Sequence, residues 1–166
     1  CCLMLRRLAC LFVRPSSLHS SLSLLSRTMS YKSNPDCLFC KIIAGKIPCN
    51  KILETEKSFA FMDIFPCSDG HALVIPKYCA EKLHELPPEE MADVGPTLVK
   101  VAKAIGAEDY NILQNNGEIA HQVVKHVHFH IIPKPNKEQG LGVGWPSKEG
   151  DKAAIAAKCE QIKGNL

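Results

Sequence analysis

Three histidines occupy alternate positions in the stretch HVHFHII, where valine and phenylalanine separate His126, His128 and His130. Side chains on a β-strand alternate between its faces, so a strand here would place three imidazoles on one face, about 7 Å apart. The apolar residues between them would lie on the other face and pack against a helix. Such a row can bind a transition metal, or it can handle an anion, because neutral imidazole is a nucleophile and imidazolium is a proton donor.

The elements that must position this row are predicted from hydrophobic periodicity. Period-two alternation and β-branched runs predict strands over 58–64, 71–76, 110–115 and 123–132. One main helix is predicted after Pro88, where apolar residues recur at a 3.6-residue period, and Gly95–Pro96 inside that pattern predicts a kinked or divided helix. A further helix is predicted at the C-terminus. Together these elements predict an α+β fold with an antiparallel sheet. The histidines are expected to lie on an open face of this sheet.

The composition limits the kinds of partner. The chain has 166 residues, of which 46% are hydrophobic, so we expect one domain with one core. The net charge of +3 depends on residues 1–28, which hold four arginines and no acidic residue. Removing these four from 20 basic residues leaves 16 against 17 acidic residues, a balance of −1. We therefore expect no nucleic-acid partner, and no apolar stretch approaches the roughly 20 residues that span a bilayer.

Residues 1–28 form a leader that is rich in leucine, serine and arginine. This composition is typical of a mitochondrial transit peptide. Alternatively the segment is non-native upstream sequence, since the chain begins with Cys1 and Met29 would be a sensible start. We exclude it from the fold, and we expect a cytoplasmic or nuclear protein, or a mitochondrial one if the leader is genuine. The odd number of nine cysteines favours a reducing compartment with mostly free thiols.

The stretch HVHFHII matches at every position the motif of the histidine triad family, His-φ-His-φ-His-φ-φ with φ apolar. The blocks DCLFCKIIAGKIP, FMDI, GHALVIPK and NGEIAHQVVKHVHFHIIPKP resemble the Hint branch, which acts on adenosine phosphoramidates. On this resemblance we predict a histidine triad domain over 36–147 and a C-terminal helical extension over 148–166. The resemblance also implies a homodimer, formed by the main helix and the strand at 110–115, and a purine nucleotide substrate such as AMP, with no metal required.

The resemblance implies a catalytic role for four histidines. His128 is similar to the family's nucleophile and would form a covalent nucleotidyl-imidazole, with His126 and His130 completing the triad and His71 as the fourth active-site histidine. The residues themselves support a division of labour. A P–N bond breaks only if the departing amine is protonated, so an attacking neutral imidazole needs a cationic neighbour such as His130. The other nitrogen of His128 is expected to donate to a backbone carbonyl.

Six further residues resemble nucleotide-binding residues of the family. Asp63 resembles the carboxylate that binds the ribose. Phe39, Ile42 and Ile64 resemble walls of the purine pocket, and Asn115 and Gln122 resemble phosphate contacts. Plainer interpretations stay open, because an aspartate can close a turn, apolar residues can be core, and amides can stabilise a loop. Val123 and His121 depart from the family pattern of serine and glycine, which leaves the leaving-group preference and the phosphate loop undecided.

Cys37 and Cys40 have the spacing of half a zinc site. The resemblance to bacterial relatives implies that Cys79 and His126 would complete a structural Cys₃His site. Animal members of the branch lack the full set, and a lone CxxC is often two small buried residues. Both interpretations stay open.

The function predicted first is a hydrolase that cleaves the P–N bond of adenosine 5′-monophosphoramidate and amine-linked AMP through a covalent nucleotidyl-histidine. Three alternatives remain. The chain could be a dinucleoside polyphosphate hydrolase, a nucleotide-binding interaction module with incidental hydrolysis, or a zinc enzyme that uses the triad histidines as ligands.

Overall fold

One antiparallel sheet carries His130, and most of the other predicted site residues lie in the segments that connect its strands. The computed structural model describes residues 31–144 and 146–166, so the leader lies outside the described residues. The strands are β1 (Lys51–Glu54), β2 (Ser58–Met62), β3 (Ala72–Pro76), β4 (Tyr110–Leu113) and β5 (Phe129–Pro133). They are hydrogen-bonded in the order β1-β2-β3-β5-β4, and every neighbouring pair is antiparallel. The predicted α+β class is confirmed.

In the part of the chain that the structure describes, three α-helices accompany the sheet: α1 (Leu38–Ile43), α2 (Pro88–Ile105) and α3 (Lys152–Lys163). The helix α3 is the predicted C-terminal helix, and the Asp151 side chain caps it by accepting a hydrogen bond from the Ala154 amide. Short 3₁₀ turns occur at Leu83–Glu85 and Glu118–Ala120. Among the described residues, no helix is at once long enough and apolar enough to cross a bilayer.

The main helix α2 is continuous, so of the predicted kink or division at Gly95–Pro96 the division is wrong. Pro96 lies inside the helix and removes one backbone donor, which costs about 3 kcal/mol in a helix interior. Val94 and Val101 are fully buried on either side of it against β2 and β3. Burial of each valine stabilises the helix by about 1.5–3 kcal/mol, so packing of one unbroken apolar face outweighs the lost hydrogen bond. Gly106, with φ 71°, ends the helix.

The two faces of the sheet have different roles. Ala72 pairs with Ile131, and Val74 pairs with Phe129; these residues pack under α2 with Val127. The apolar residues between the histidines therefore face the helix, as predicted. On the opposite face Leu73 lies directly across from His130, within a cluster that includes Phe39 and Phe61. The histidines share that second face.

One predicted strand needs correction, and one strand was not predicted. The strand predicted at 123–132 begins only at Phe129, so His130 lies in β5 while His126 and His128 precede it. Residues 123–128 are instead held by individual backbone hydrogen bonds, such as the one that the Val127 amide donates to the Ala80 carbonyl at 2.8 Å. The strand β1 was not predicted, because its four residues KILE are too short to show an alternating pattern.

Candidate active site

His128 is held in one tautomer by its own chain. Its Nδ1 lies 2.6 Å from the carbonyl oxygen of His126, which can only accept, so Nδ1 carries the proton and donates. The lone pair is therefore on Nε2. His128 is 5% exposed, and burial lowers its pKa, with the hydrogen bond to the carbonyl opposing the shift. At neutral pH this imidazole is uncharged and has the properties of a nucleophile.

A single backbone amide determines where His71 and His130 hold their protons. The Cys67 amide lies 3.1 Å from Nδ1 of His71 and can only donate, so the neutral His71 ring carries its proton on Nε2. That nitrogen lies 2.9 Å from Nδ1 of His130 and donates to it. Nδ1 of His130 is thus an acceptor, and its proton is on Nε2, the nitrogen on the other side of the ring. The structure thus places His71 in direct hydrogen-bonding contact with the triad residue His130.

Burial keeps His130 uncharged in the free protein. Loss of solvent, with the neighbouring His128 and His71, lowers the pKa of His130 to about 4, against the opposing effect of Asp63. The pKa of His71 is also lowered by burial, against the opposing effect of Asp63. The rings of His128 and His130 are packed edge to face with centroids 5.0 Å apart, closer than an open strand would place them. The predicted open surface is wrong.

Asp63 stabilises a turn with one carboxylate oxygen and faces two imidazoles with the other. Its Oδ1 accepts a hydrogen bond from the Phe65 amide at 2.8 Å, which closes the turn after β2. Its Oδ2 lies 3.5 Å from Nε2 of His71 and 3.8 Å from Nδ1 of His130. These three residues are close enough to hold a metal ion. However, the Cys67 amide keeps the His71 proton on Nε2, so this cluster is a hydrogen-bonded chain rather than a ligand set.

The three proposed purine-pocket residues differ in their surroundings. Phe39 and Ile42 are buried on α1, and the Phe39 ring packs edge-on against His128 with centroids 5.3 Å apart. Ile64 is 75% exposed beside Asp63. Phe39 therefore packs directly against the nucleophile and Ile42 lies buried in the same apolar cluster, whereas Ile64 presents an open apolar surface next to the carboxylate.

The two amides near the phosphate side are engaged by backbone groups. Gln122 is buried: its Oε1 accepts from the Gly117 amide at 2.6 Å, and its Nε2 donates to the carbonyls of Glu81 and Val124. Asn115 donates to the His121 carbonyl at 3.3 Å. Both side chains thus hold the loop Gly117–Gln122 in shape, the plainer of the two interpretations. His121 has φ 64°, a left-handed conformation that glycine adopts more readily than histidine.

The imidazole of His126 lies among three thiols. Its Nε2 donates to the Pro76 carbonyl at 2.8 Å, so the lone pair on Nδ1 faces the sulfur atoms of Cys37 at 3.4 Å and Cys40 at 3.7 Å. The ligand atoms of these residues and of Cys79 all lie within 4.8 Å of one another. His126 is fully buried, and its backbone carbonyl is the part of it that contacts His128.

Two residues of this site had no signal in the sequence. The Cys67 amide acts through the backbone, so residue type gives no clue to it. Ser68, in the same turn, donates through its buried hydroxyl to the Pro133 carbonyl at 2.6 Å, a contact between residues 65 positions apart. Only the pairing of the turn with the end of β5 brings these groups together.

Comparison with known proteins gives the same family for sequence and fold. The family model described as HIT domain matches residues 44–137. The adenosine 5′-monophosphoramidase hnt1 of Schizosaccharomyces pombe is 61% identical over 130 residues, 78% of this chain and 98% of that protein. The enzyme of the same name from Saccharomyces cerevisiae is 55% identical over 69% of this chain and 73% of that protein. A fold and site of this kind define a histidine triad protein.

A solved structure supports the assignment. The crystal structure of a histidine triad nucleotide-binding protein from Candida albicans superposes with a TM-score of 0.76 at 46% identity, covering 78% of this chain and 96% of that chain. The chain belongs to the HIT domain family.

Proposed function

We propose that this protein is an adenosine 5′-monophosphoramidase, a hydrolase that cleaves the P–N bond of adenosine 5′-monophosphoramidate and of amine-linked AMP. The observation that carries the proposal is the hydrogen bond from Nδ1 of His128 to the His126 carbonyl, which leaves a neutral nucleophilic nitrogen beside a second imidazole. The relatives named as adenosine 5′-monophosphoramidases support the substrate class.

The first step forms a covalent nucleotidyl-histidine. Nε2 of His128 attacks phosphorus, the P–N bond breaks, and the departing amine takes a proton from Nε2 of His130. His130 is neutral in the free protein, so the anionic phosphoryl group of the substrate must raise its pKa. The additional proton is held on Nδ1, which can then no longer accept from His71, so the N–H groups of His130 Nδ1 and His71 Nε2 both turn to Oδ2 of Asp63, which lies 3.8 Å and 3.5 Å from these nitrogens.

The second step returns the enzyme to its starting state. Water attacks phosphorus, its proton passes to Nε2 of His130, and the P–N bond to His128 breaks to release AMP. His130 therefore acts as an acid in the first step and as a base in the second, so its Nε2 must donate a proton in one step and accept a proton in the other. Asp63 also remains the acceptor for the ribose hydroxyls, and Phe39, Ile42 and Ile64 bind the purine.

The experiment compares His128→Ala with His84→Ala, which alters an exposed histidine in the 3₁₀ turn. We expect release of a fluorescent amine from its adenosine phosphoramidate to fall by about 10³-fold or more in the first variant and to be unchanged in the second. Rapid-quench mass spectrometry should find adenylylated His128 in the wild type. Binding of AMP without amine release would favour an interaction module, and preferential cleavage of dinucleoside polyphosphates would favour that hydrolase class.

The thiol cluster fits a structural zinc ion. Cys37, Cys40 and Cys79 with Nδ1 of His126 supply the three sulfur ligands and one nitrogen ligand that zinc prefers, and the Pro76 carbonyl fixes the tautomer of His126. We propose that they hold one Zn²⁺ that cross-links α1 to the triad segment. The proposed hydrolysis of the phosphoramidate uses only the chain's own residues.

The proposed homodimer follows from apolar residues that α2 leaves uncovered. Ile112 pairs with Ile131 and therefore lies on the helix side of the sheet, as does Tyr110, yet both are more than 40% exposed. Val99 on α2 is 54% exposed, and β4 is the last strand of the sheet. A second copy related by a two-fold axis would cover these residues with its own α2 and β4.

A further inference from the structure

The turn between β2 and β3 sets the proton positions of two active-site rings, so its placement matters for the reaction. The Cys67 amide donates to Nδ1 of His71, and Nε2 of His71 donates to Nδ1 of His130. The chain of donors ends with a proton on Nε2 of His130. It depends on one amide N–H that must stay within hydrogen-bonding distance of one ring nitrogen.

Ser68 ties this turn to the strand that carries His130. Its hydroxyl donates to the carbonyl of Pro133, the last residue of β5, at 2.6 Å. The Ser68 side chain is 7% exposed, so the hydrogen bond is shielded from competing water. The residue lies next to Cys67, and its hydroxyl hydrogen-bonds to Pro133 and to none of the four histidines.

Close packing at the same place leaves little freedom for the turn. A Cβ atom on Gly70, which has φ 81°, would lie 3.3 Å from Cγ of Pro133. The Gly140 amide donates to the Cys67 carbonyl at 3.2 Å, and a Cβ atom on Gly140 would lie 2.6 Å from the Pro133 oxygen. The residues that follow Cys67 in the turn are therefore fixed relative to Pro133, with Ser68 as the one side-chain donor among these contacts.

A competing arrangement of protons is available to His130. Oδ2 of Asp63 lies 3.8 Å from Nδ1 of His130, so a small movement would let Nδ1 carry the proton and donate to the carboxylate. The lone pair would then be on Nε2 and would face an anionic substrate. The arrangement present in the structure, with the proton on Nε2, instead offers the phosphate a donor.

We propose that Ser68 is a positioning residue for the reaction, which holds the Cys67 amide at His71 and thereby keeps the proton of neutral His130 on Nε2. This inference rests on the proposed function, because the proton on Nε2 is the donor that meets the phosphoryl group. Ser68 acts through the turn and does not touch the substrate.

The experiment uses the full chain in four forms: wild type, Ser68→Ala, Ser68→Thr, which keeps the hydroxyl, and Ser33→Ala, which alters an exposed serine. Three readouts are compared: the tautomer of His130 from long-range ¹H–¹⁵N spectra of the imidazoles, the Kd values of AMP and of adenosine, and kcat/KM for a phosphoramidate. Adenosine lacks the phosphate, so its Kd reports on the integrity of the pocket alone.

We expect Ser68→Ala to populate the Nδ1–H tautomer of His130, to weaken AMP binding and kcat/KM about 10-fold, and to leave the Kd of adenosine within about 2-fold. Ser68→Thr should restore most of the loss, and Ser33→Ala should match the wild type. An unchanged tautomer in Ser68→Ala, or equal losses for AMP and adenosine, would overturn the proposal. So would a wild-type spectrum with the proton on Nδ1, a result that does not depend on any variant folding. A wild type that neither binds AMP nor releases amine refutes the proposed function, while the tautomers still decide the role of Ser68.

Discussion

The carbonyl oxygen of His126 accepts a 2.6 Å hydrogen bond from Nδ1 of His128, while the imidazole of His126 faces the thiols of Cys37 and Cys40. His126 thus contributes to two sites: its backbone carbonyl contacts the nucleophile, and its side chain lies in the thiol cluster. The first histidine of the triad therefore acts on the reaction through its main chain. Its ring, fully buried and paired with the Pro76 carbonyl, contributes to stability.

Replacement of His126 by alanine separates these two contributions. The variant keeps the backbone carbonyl but loses a buried ring, so we expect the free energy of unfolding to fall by about 2–4 kcal/mol. We expect kcat of the folded protein to fall less than about 10-fold, far less than in His128→Ala. Urea unfolding and steady-state kinetics below the unfolding transition measure both. A loss of kcat greater than 100-fold with unchanged stability would assign a direct catalytic role to the ring.

The sequence predicted that the apolar residues between the triad histidines face the helix, but it did not predict how deeply the histidines are buried. The period-two spacing of His126, His128 and His130 correctly placed them opposite the apolar residues under α2. The spacing cannot show that α1 covers that face, and Phe39 packs against both His126 and His128. Burial is set by contacts between distant segments, whereas periodicity reports only local orientation.

The two amide residues that resemble phosphate contacts also show what the sequence cannot predict. Asn115 and Gln122 were identified by resemblance, yet their amides contact backbone groups of their own loop and its neighbours. Residue type shows that an amide is present, but the acceptor it meets depends on a loop conformation that includes a left-handed His121. The proton positions in His71 and His130 depend on a Cys67 backbone amide, which any residue except proline would supply at that position.

Protonation of His130 should make the protein less stable in acid. Its pKa is about 4 in the folded protein and about 6.5 when unfolded, so the unfolded state binds more protons between these pH values. Stability is therefore complete above pH 6.5 and is lost as the pH falls towards 4, by about 3 kcal/mol at most for this residue. We expect His130→Asn to flatten the pH dependence of the unfolding free energy over this window.

The control for this prediction is His84→Asn, which changes an exposed histidine and should retain the wild-type slope. Burial also lowers the pKa of His71, His126 and His128, so a residual slope should persist in His130→Asn. Identical slopes in all three proteins would show that His130 titrates normally.

Binding of Zn²⁺ to the thiol cluster should release protons. Burial, with the neighbouring Cys40 and Cys37, raises the pKa of Cys79 to about 12, and burial also raises the pKa of Cys37. Zinc binds thiolates, so the metal must displace these protons, and its affinity should increase with pH. Calorimetry of the reduced protein in buffers of different ionisation enthalpy should find one Zn²⁺ per chain with proton release.

Cys79→Ala should bind Zn²⁺ at least about 10- to 100-fold more weakly and release fewer protons, because one sulfur ligand is missing. Cys49→Ala is the matched control, since Cys49 is a half-buried free thiol outside the cluster. Equal affinities of wild type and Cys79→Ala would remove Cys79 from the ligand set.

A charge on the uncovered helix side of the sheet should dissociate the proposed dimer. Ile112→Arg places a guanidinium where the partner's α2 or β4 would bury an apolar side chain, and an unpaired buried charge costs several kcal/mol. We expect sedimentation equilibrium to find the wild type dimeric and Ile112→Arg monomeric at micromolar concentration. Ile52→Arg is the control, because Ile52 is partly exposed on β1 at the opposite edge of the sheet and should leave the dimer intact. If Ile52→Arg dissociates the protein and Ile112→Arg does not, the dimer forms through β1 instead of through α2 and β4.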